Sequence, residues 1–393
     1  MLRRWGMMRY VSSESETERN RRWAATMVGY EGSADDVTVA HVDSSATIDL
    51  ASSPAVSVSG DLAQREHQLD GLLAAGATRS SGAGMRLREE EPDEFRTCFE
   101  RDRDRILHSS AFRRLAGKTQ VFIFPEDHMR TRLTHALEVA QVATGVARAV
   151  GLNVALTEAI ALGHDCGHGP GGHASEEALD PYVPGGFDHA NWGAQVSLKS
   201  LNLCRETLDG IANHSWSRPA PLTPEGEVVS WADRIAYVCH DFEDAVSARI
   251  VGAEELPGIV RGRCGERKGQ QLGSFINAMI RTIRSTGVIG MDARHAEALA
   301  AFRSFNYESI YLRGVAREQA SAVVGMLRAL VEFYAAHPHL IPDVEESGSQ
   351  MGETAAMNEA VAYVAGMTDR FACRSAVTLL DWPIDQLPKG IDR

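Results

Sequence analysis

Residues 163 to 173 read Gly-His-Asp-Cys-Gly-His-Gly-Pro-Gly-Gly-His. Three histidines and an aspartate punctuated by glycines and a proline suit a chelating turn better than a packed core. The apolar run Val154 to Leu162 predicts a helix that delivers His164 and Asp165 to its own end, and Gly167, Gly169, Gly171 and Gly172 keep that helix from continuing. Adjacent side chains on a helix diverge by roughly 100°, so His164 and Asp165 can share one ion only with further ligands from other segments. Two candidates stand out: His135, opening the helical text THALEVAQVATGVARAV, and Asp233, within VVSWADRIAYVCHDFEDAV.

A lone His-Asp dipeptide is more often a solvated helix end than a metal site. Taken together and in this order, however, His135, His164–Asp165 and Asp233 form an H…HD…D series, and the chain resembles the HD-domain metal-dependent phosphohydrolases. Two imidazoles and two carboxylates suit one divalent ion of the Mn, Mg, Fe, Co or Ni type better than the thiolate sites that favour zinc.

Around these ligands the basic residues are dense. Arg96, Arg101, Arg103, Arg105, Arg113, Arg114, Lys118, Arg130 and Arg132 all precede His135. Arg101 to Arg105 alternate with acids and read as a solvated helix face; the others suit a polyphosphate, whose anionic oxygens must be neutralised around one ion. Asp233, Tyr237 and Asp241 fall at i, i+4 and i+8, on one helical stripe, where two carboxylates are costly to bury without partners. His173 and Glu176 are at i and i+3, so the spacing predicts that Glu176 orients His173.

Six words narrow the resemblance: RILHSSAFRRLAGKTQVF, RTRLTHALEVAQ, GHDCGHGPGGHASE, GGFDH, EGEVVSWADRIAYVCHDFEDA and AGMTDRFA. In this order they are similar to the deoxyguanosinetriphosphate triphosphohydrolase-like family, over about residues 95 to 375. The resemblance implies an all-α fold, an HD-domain helical bundle with additional C-terminal helices, and cleavage of a deoxynucleoside triphosphate to deoxynucleoside and inorganic triphosphate. It implies His173, Glu176, His168 and His189 as catalytic residues. It places Gln120 at the sugar or base, Arg132 at the phosphates, Tyr237 at the sugar and Asp241 on its 3′-hydroxyl; Lys118, Arg114 and Arg234 are expected to spread the charge of the triphosphate, although an arginine beside Asp233 equally fits a plain salt bridge. Tyr307, Tyr311 and Arg313 resemble positions near the substrate or an oligomer contact, although aromatics at helical spacing are more often core. A homo-oligomer and an allosteric nucleotide are also implied. One departure is visible: family members carry Pro-Pro-Phe-Gly-His or Gly-Pro-Phe-Ser-His where this chain has Gly169-Pro170-Gly171-Gly172-His173. Loss of the aromatic predicts a more flexible loop and bears on base preference and on the placing of His173.

Two other readings come from the same residues. One is an HD phosphohydrolase of a monophosphate, cyclic nucleotide or alarmone. The other is a non-catalytic module binding nucleotide or a single-stranded nucleic acid such as DNA.

The 393 residues carry 40 Lys plus Arg against 53 Asp plus Glu, a formal charge of −13, which argues against a general electrostatic nucleic-acid binder. The six cysteines, with no C-x-x-C spacing, read as reduced thiols of a cytoplasmic protein, and Cys166 inside the turn reads as packing. No apolar segment approaches the roughly 20 residues of a membrane span, and MLRRWGMMRY has no apolar stretch behind it. Residues 1 to 85 are rich in Ser, Ala and Gly and predict a disordered extension with short helices near Glu16–Met27 and Leu62–Ala75; Met85 offers an alternative start. Residues 86 to 250 then form the HD core and 251 to 393 a helical region packed on it. In that region Asp369 and Arg370 are expected to lock one helix onto the core.

Overall fold

The structure, a computed structural model, describes residues 16–26, 29–32, 36–49, 62–82, 84–126, 128–342, 344 and 352–389. Two compact units divide between Ser59 and Gly60. In the first, helix α1 (Glu16–Thr26) is followed by two-residue strands β1 (Tyr30–Glu31) and β2 (Thr38–Val39), paired antiparallel with Tyr30 opposite Val39. Of the expected N-terminal extension, residues 1–15, 27–28, 33–35, 50–61 and 83 lie outside the described residues.

The second unit is all-α. It begins with α2 (Leu62–Asp70), so the packed chain starts ahead of the boundary expected at residue 85. Local chemistry explains the difference. The buried Asp70 carboxylate accepts from the backbone of Ser80 and Ser81 at 3.0 and 3.1 Å. Arg86 donates at 2.6 Å to the fully buried Asp102. Glu225, also fully buried, accepts from the Thr78 N–H and hydroxyl at 3.1 and 2.7 Å and from the Asn153 N–H at 2.9 Å. Text rich in small polar residues therefore belongs to the fold because its backbone donors satisfy buried carboxylates.

Next come α3 (Cys98–His108), α4 (Ser110–Arg114), α5 (Arg132–Val150) and α6 (Val154–Gly163). Gly151, left-handed at φ 76°, ends α5, and the Asn153 side chain caps α6 by accepting from the Leu156 N–H at 3.2 Å. Three short helices, α7 (Ala174–Leu179), α8 (His189–Trp192) and α9 (Arg205–Ala212), lead to the 24-residue α10 (Pro224–Ser247). Thr223 caps α10, Pro224 occupies its first position, and Glu225 and Glu227 sit in its first turn, where they favour the helix dipole. The remainder is α11 (Gly258–Cys264), α12 (Lys268–Thr286), α13 (Ala293–Asn306), α14 (Gly314–Ala336), α15 (Glu353–Ala365) and α16 (Asp369–Leu380).

Two apolar clusters hold this unit together. One joins α3, α5, α6 and α10 to α12 and α13 through Phe99, Ile160, Ile235, Phe275 and Phe302. The other joins α7 to α14, α15 and α16 through Leu179, Leu327, Leu330 and Val361. Among the described residues no helix is long and apolar enough to cross a membrane.

Candidate active site

Helix α6 ends at Gly163, and His164 keeps helical angles while the chain tightens: Cys166 N–H donates to the Gly163 carbonyl and His168 N–H to that of Asp165, both at 3.1 Å. This turn buries His164, Asp165 and His168 together. His135, on the first turn of α5, and Asp233, in the middle of α10, face it: His135 Nε2 lies 3.0 Å and His164 Nε2 3.7 Å from Asp233 Oδ1. The ligand atoms of His135, His164 and Asp233 all fall within 4.8 Å of one another. Asp165 joins His164 in an adjoining group of the same size with His214, and His168 and His189 in a third. Asp165 is thus shared: Oδ2 accepts from Arg132 at 2.7 Å, while Oδ1 lies 3.2 Å from His168 Nε2 and 3.6 Å from His164 Nε2.

These residues fit a divalent ion. The Nδ1 of His164 lies 2.6 Å from the Ala161 carbonyl, which can only accept, so Nδ1 carries the proton and Nε2 presents a lone pair. That Nε2 is buried without a hydrogen-bond partner. Although burial works against it, pairing with His135 and the charges of the neighbouring imidazoles holds Asp233 well below the usual carboxylate range. Burial alone would lower His135, but Asp233 raises it. A metal would displace the proton this pair shares.

Of the nine basic residues upstream of His135, Arg132 alone lines the adjoining cavity. Its Nε and Nη2 are buried with no hydrogen-bond partner. Lys118 departs from the expected phosphate role, because its ammonium is buried and donates to the carbonyls of His168 and, at 3.1 Å, Ala365. Burial, reinforced by Arg114, pushes it down to about 7. Arg114 also lies outside the cavity, donating to Ser110 Oγ at 3.3 Å. Arg130 is spent on Glu138, Glu243 and Asp244. Arg234 does line the cavity, its guanidinium 3.5 Å above the Trp216 ring.

Glu176 does not orient His173. Its Oε1 bonds instead to His189 Nδ1 and accepts from the His189 N–H at 3.1 Å, because α8 returns His189 across the end of α7. Although burial of His189 and partial burial of Glu176 work against it, this pairing draws Glu176 down to about 2 and raises His189. His189 stacks on His168 at 3.7 Å, and its Nε2 lies 3.3 Å from His214 Nε2. His173 lines the cavity as an accessible ring 5.0 Å from that of His168.

The glycine loop is held, not slack. Gly171 and Gly172 are both left-handed, at φ 75° and 63°. A Cβ at Gly171 would meet Val323 at 2.6 Å, and one at Gly172 would meet Arg132 Nη2 and the Thr119 carbonyl at 2.9 Å. Glycine is needed both for the turn and for the close approach of backbone to Arg132.

The cavity, about 430 Å³, continues past Gln120, Tyr237 and Asp241 to Tyr307 and Tyr311. That volume suits a small-molecule ligand. Gln120 Oε1 and Asp241 Oδ1 are buried without partners, while Asp241 Oδ2 accepts from the Tyr311 hydroxyl at 2.5 Å. Burial pushes the Asp241 carboxyl up to about 7 against that hydrogen bond. Arg303 donates from Nε to the Tyr237 oxygen at 2.9 Å and stacks on Tyr307 at 4.3 Å. Tyr307 and Tyr311, in the turn that joins α13 to α14, therefore face the cavity.

Among the cavity residues to which sequence reasoning gave no role are His214, Trp216 and Arg303. His214 is buried, donates from Nδ1 to the Ile211 carbonyl at 2.8 Å, and sets its ring 4.9 Å from that of His164. The run Asn213-His214-Ser215-Trp216 between two helical texts was the available signal.

Residues 132–238 match the model of the HD domain, and residues 289–377 that of the phosphohydrolase-associated domain. A deoxyguanosinetriphosphate triphosphohydrolase-like protein of Caldanaerobacter subterraneus subsp. tengcongensis is 43% identical over 312 residues, covering 77% of this chain and 90% of that protein. One of Clostridium perfringens is 40% identical over 306 residues, covering 73% and 87%. Among solved structures, a hypothetical protein from Aquifex aeolicus matches 70% of this chain and 67% of that one at 18% identity and a TM-score of 0.43.

Proposed function

The chain belongs to the deoxyguanosinetriphosphate triphosphohydrolase-like family of HD-domain proteins, and from that premise we propose that it hydrolyses deoxynucleoside triphosphates to deoxynucleoside and inorganic triphosphate. The observation that carries the reading is one cavity with three kinds of unmet demand. These are the partnerless His164 Nε2, set beside the lining residues His135, Asp165 and Asp233, the two free guanidinium nitrogens of Arg132, and the free carboxylate oxygen of Asp241. A polyanion joined to a hydroxyl-bearing sugar meets all of them.

The four donors would hold one divalent ion, Mn, Mg, Fe, Co or Ni, whose chemistry there is to polarise an α-phosphate oxygen and acidify water. Arg132, Arg234 and Arg303 neutralise the triphosphate. Asp241 accepts from the 3′-hydroxyl through Oδ1, Gln120 binds sugar or base through Oε1, and Tyr237 closes the sugar pocket. Water forms the new bond to the α-phosphorus as the bond to the 5′-oxygen breaks. His189, held at Nδ1 by Glu176, keeps a proton at Nε2 for that leaving oxygen, with His168 stacked behind it and His173 on the water side.

The test is to incubate purified protein with each dNTP and with mixtures, under Mn²⁺, Mg²⁺ and Co²⁺, and to resolve the products by ion exchange. Deoxynucleoside plus intact triphosphate, abolished in His164→Ala, is expected. Cleavage of monophosphates or cyclic nucleotides alone would replace the proposal with the second hydrolase reading, and nucleotide binding without turnover with the non-catalytic one. The mixtures also test activation by a second nucleotide, and light scattering tests the homo-oligomer.

A further inference from the structure

Helix α16 opens on Asp369, which is 6% exposed and lies outside the cavity lining. An aspartate in a first turn ordinarily serves its own helix. This one spends both oxygens elsewhere: Oδ2 accepts from the Thr119 hydroxyl at 2.6 Å and Oδ1 from the Gly171 N–H at 2.8 Å. Thr119 immediately precedes Gln120, and Gly171 immediately precedes Gly172 and His173. The same two segments touch at Arg132, where the Thr119 carbonyl and Arg132 Nη2 crowd the Gly172 backbone.

Neighbouring contacts repeat the pattern. Lys118 joins the carbonyls of His168 and Ala365, the latter at the end of α15. Gly117 leaves no room for a Cβ, because the Thr368 side chain would stand 2.8 Å from it. Residues 117–119, 168–171 and 365–369 are thus laced together through buried polar groups, with Asp369 bonded to both walls of the catalytic cavity.

We infer that Asp369 is a positioning residue: through Thr119 and Gly171 it sets the spacing of Gln120, Arg132 and His173, so the phosphohydrolase-associated region fixes the geometry of the HD catalytic loop. Asp369 touches no substrate group itself. The kinetic arm of the test rests on the proposed nucleotide hydrolysis, and the exchange arm does not.

The full-length protein would be compared as wild type, Asp369→Asn, Thr119→Val, Thr119→Ser and Val361→Ala, the last a control in the second apolar cluster. Asparagine keeps the shape but offers only one accepting atom; valine removes the Thr119 donor, and serine restores it. Amide exchange in peptides covering 168–173 is expected to accelerate at least tenfold in Asp369→Asn and measurably in Thr119→Val, with recovery in Thr119→Ser. Val361→Ala should lower Tm without moving that exchange. Because a misplacement of roughly 1 Å can cost about 100-fold, kcat on dNTP should fall 10- to 100-fold in Asp369→Asn at unchanged metal content. Wild-type exchange of 168–173 in both Asp369→Asn and Thr119→Val would overturn the inference, whatever the substrate proves to be.

Discussion

Replacing Arg132 with lysine probes the proposed phosphate end of the cavity at one atom group. Arg132 is 2% exposed, gives Nη1 to Asp165 at 2.7 Å, and keeps Nε and Nη2 free. Lysine preserves the positive charge but replaces a planar fork by one ammonium, which cannot serve Asp165 and a bidentate phosphate together. A hydrogen bond to a charged group contributes about 1.5–3 kcal/mol, and the exchange forfeits one to two of them. The loss of transition-state stabilisation is then about 1.5–6 kcal/mol, or roughly 10- to 20,000-fold in kcat/KM. The assay is steady-state release of inorganic triphosphate from dNTP, with metal content measured on the same preparations. Inorganic triphosphate, added as a competitive inhibitor, should weaken in parallel, while metal content holds because Asp165 still has a cation beside it. A kcat/KM within threefold of wild type would refute the argument, since Arg132 would then be only the counter-ion of Asp165.

Three further outcomes are expected. Gly172→Ala places a Cβ at φ 63°, against Arg132 Nη2 and the Thr119 carbonyl; about 1–2 kcal/mol of backbone strain should appear as a lower Tm, with kcat/KM down at least tenfold. His214→Ala leaves the Ile211 carbonyl unmet, at about 1–3 kcal/mol, and deprives His189 Nε2 of its neighbour; denaturant unfolding reads the first effect and turnover, reduced about tenfold or more, the second. Glu176→Gln tests the ion pair by pH. Glu176, lowered from 4.5 to about 2, contributes stability above its unfolded value and loses it as pH falls towards 2, whereas His189, raised from 6.5, contributes below its unfolded value and loses it as pH rises through the folded one. In metal-free protein the Tm gap between wild type and Glu176→Gln should be widest between pH 4.5 and 6.5. A gap independent of pH would contradict the pairing.

How much of this was legible follows from the range of each interaction. The His164–Asp165 turn could be read because its chemistry is local: glycines stop a helix at the pair, whatever lies elsewhere. The Asp233–Tyr237–Asp241 stripe was legible for the same reason, since helical period alone sets it. Lys118 was misread because a basic residue near a motif is not necessarily aimed at it, and only the fold brings Ala365 to its ammonium. Glu176 was matched to His173 by helical spacing, yet the partner that wins stands 13 residues on, where the chain has doubled back. Gly171 and Gly172 looked like slack, because composition reports freedom in the unfolded chain and not the Val323 and Arg132 side chains that close on them. His214, a lone histidine in a loop, carries no spacing for a pattern to catch.

Glu225 and Asn153 link the chain ahead of the HD core to the proposed metal ligands. Thr78 supplies two of the donors to the Glu225 carboxylate, and the Asn153 amide donates to the Thr78 carbonyl at 3.0 Å and to Ser80 Oγ at 3.2 Å while its oxygen caps α6. Eleven residues beyond that cap, the same helix hands over His164. A polypeptide begun at Met85 would lose Thr78 and Ser80, leave a fully buried carboxylate short of donors, and loosen the cap that sets the helix in register. A variant truncated to begin at Met85 should therefore release a bound divalent ion to a chelator at a concentration the full chain withstands.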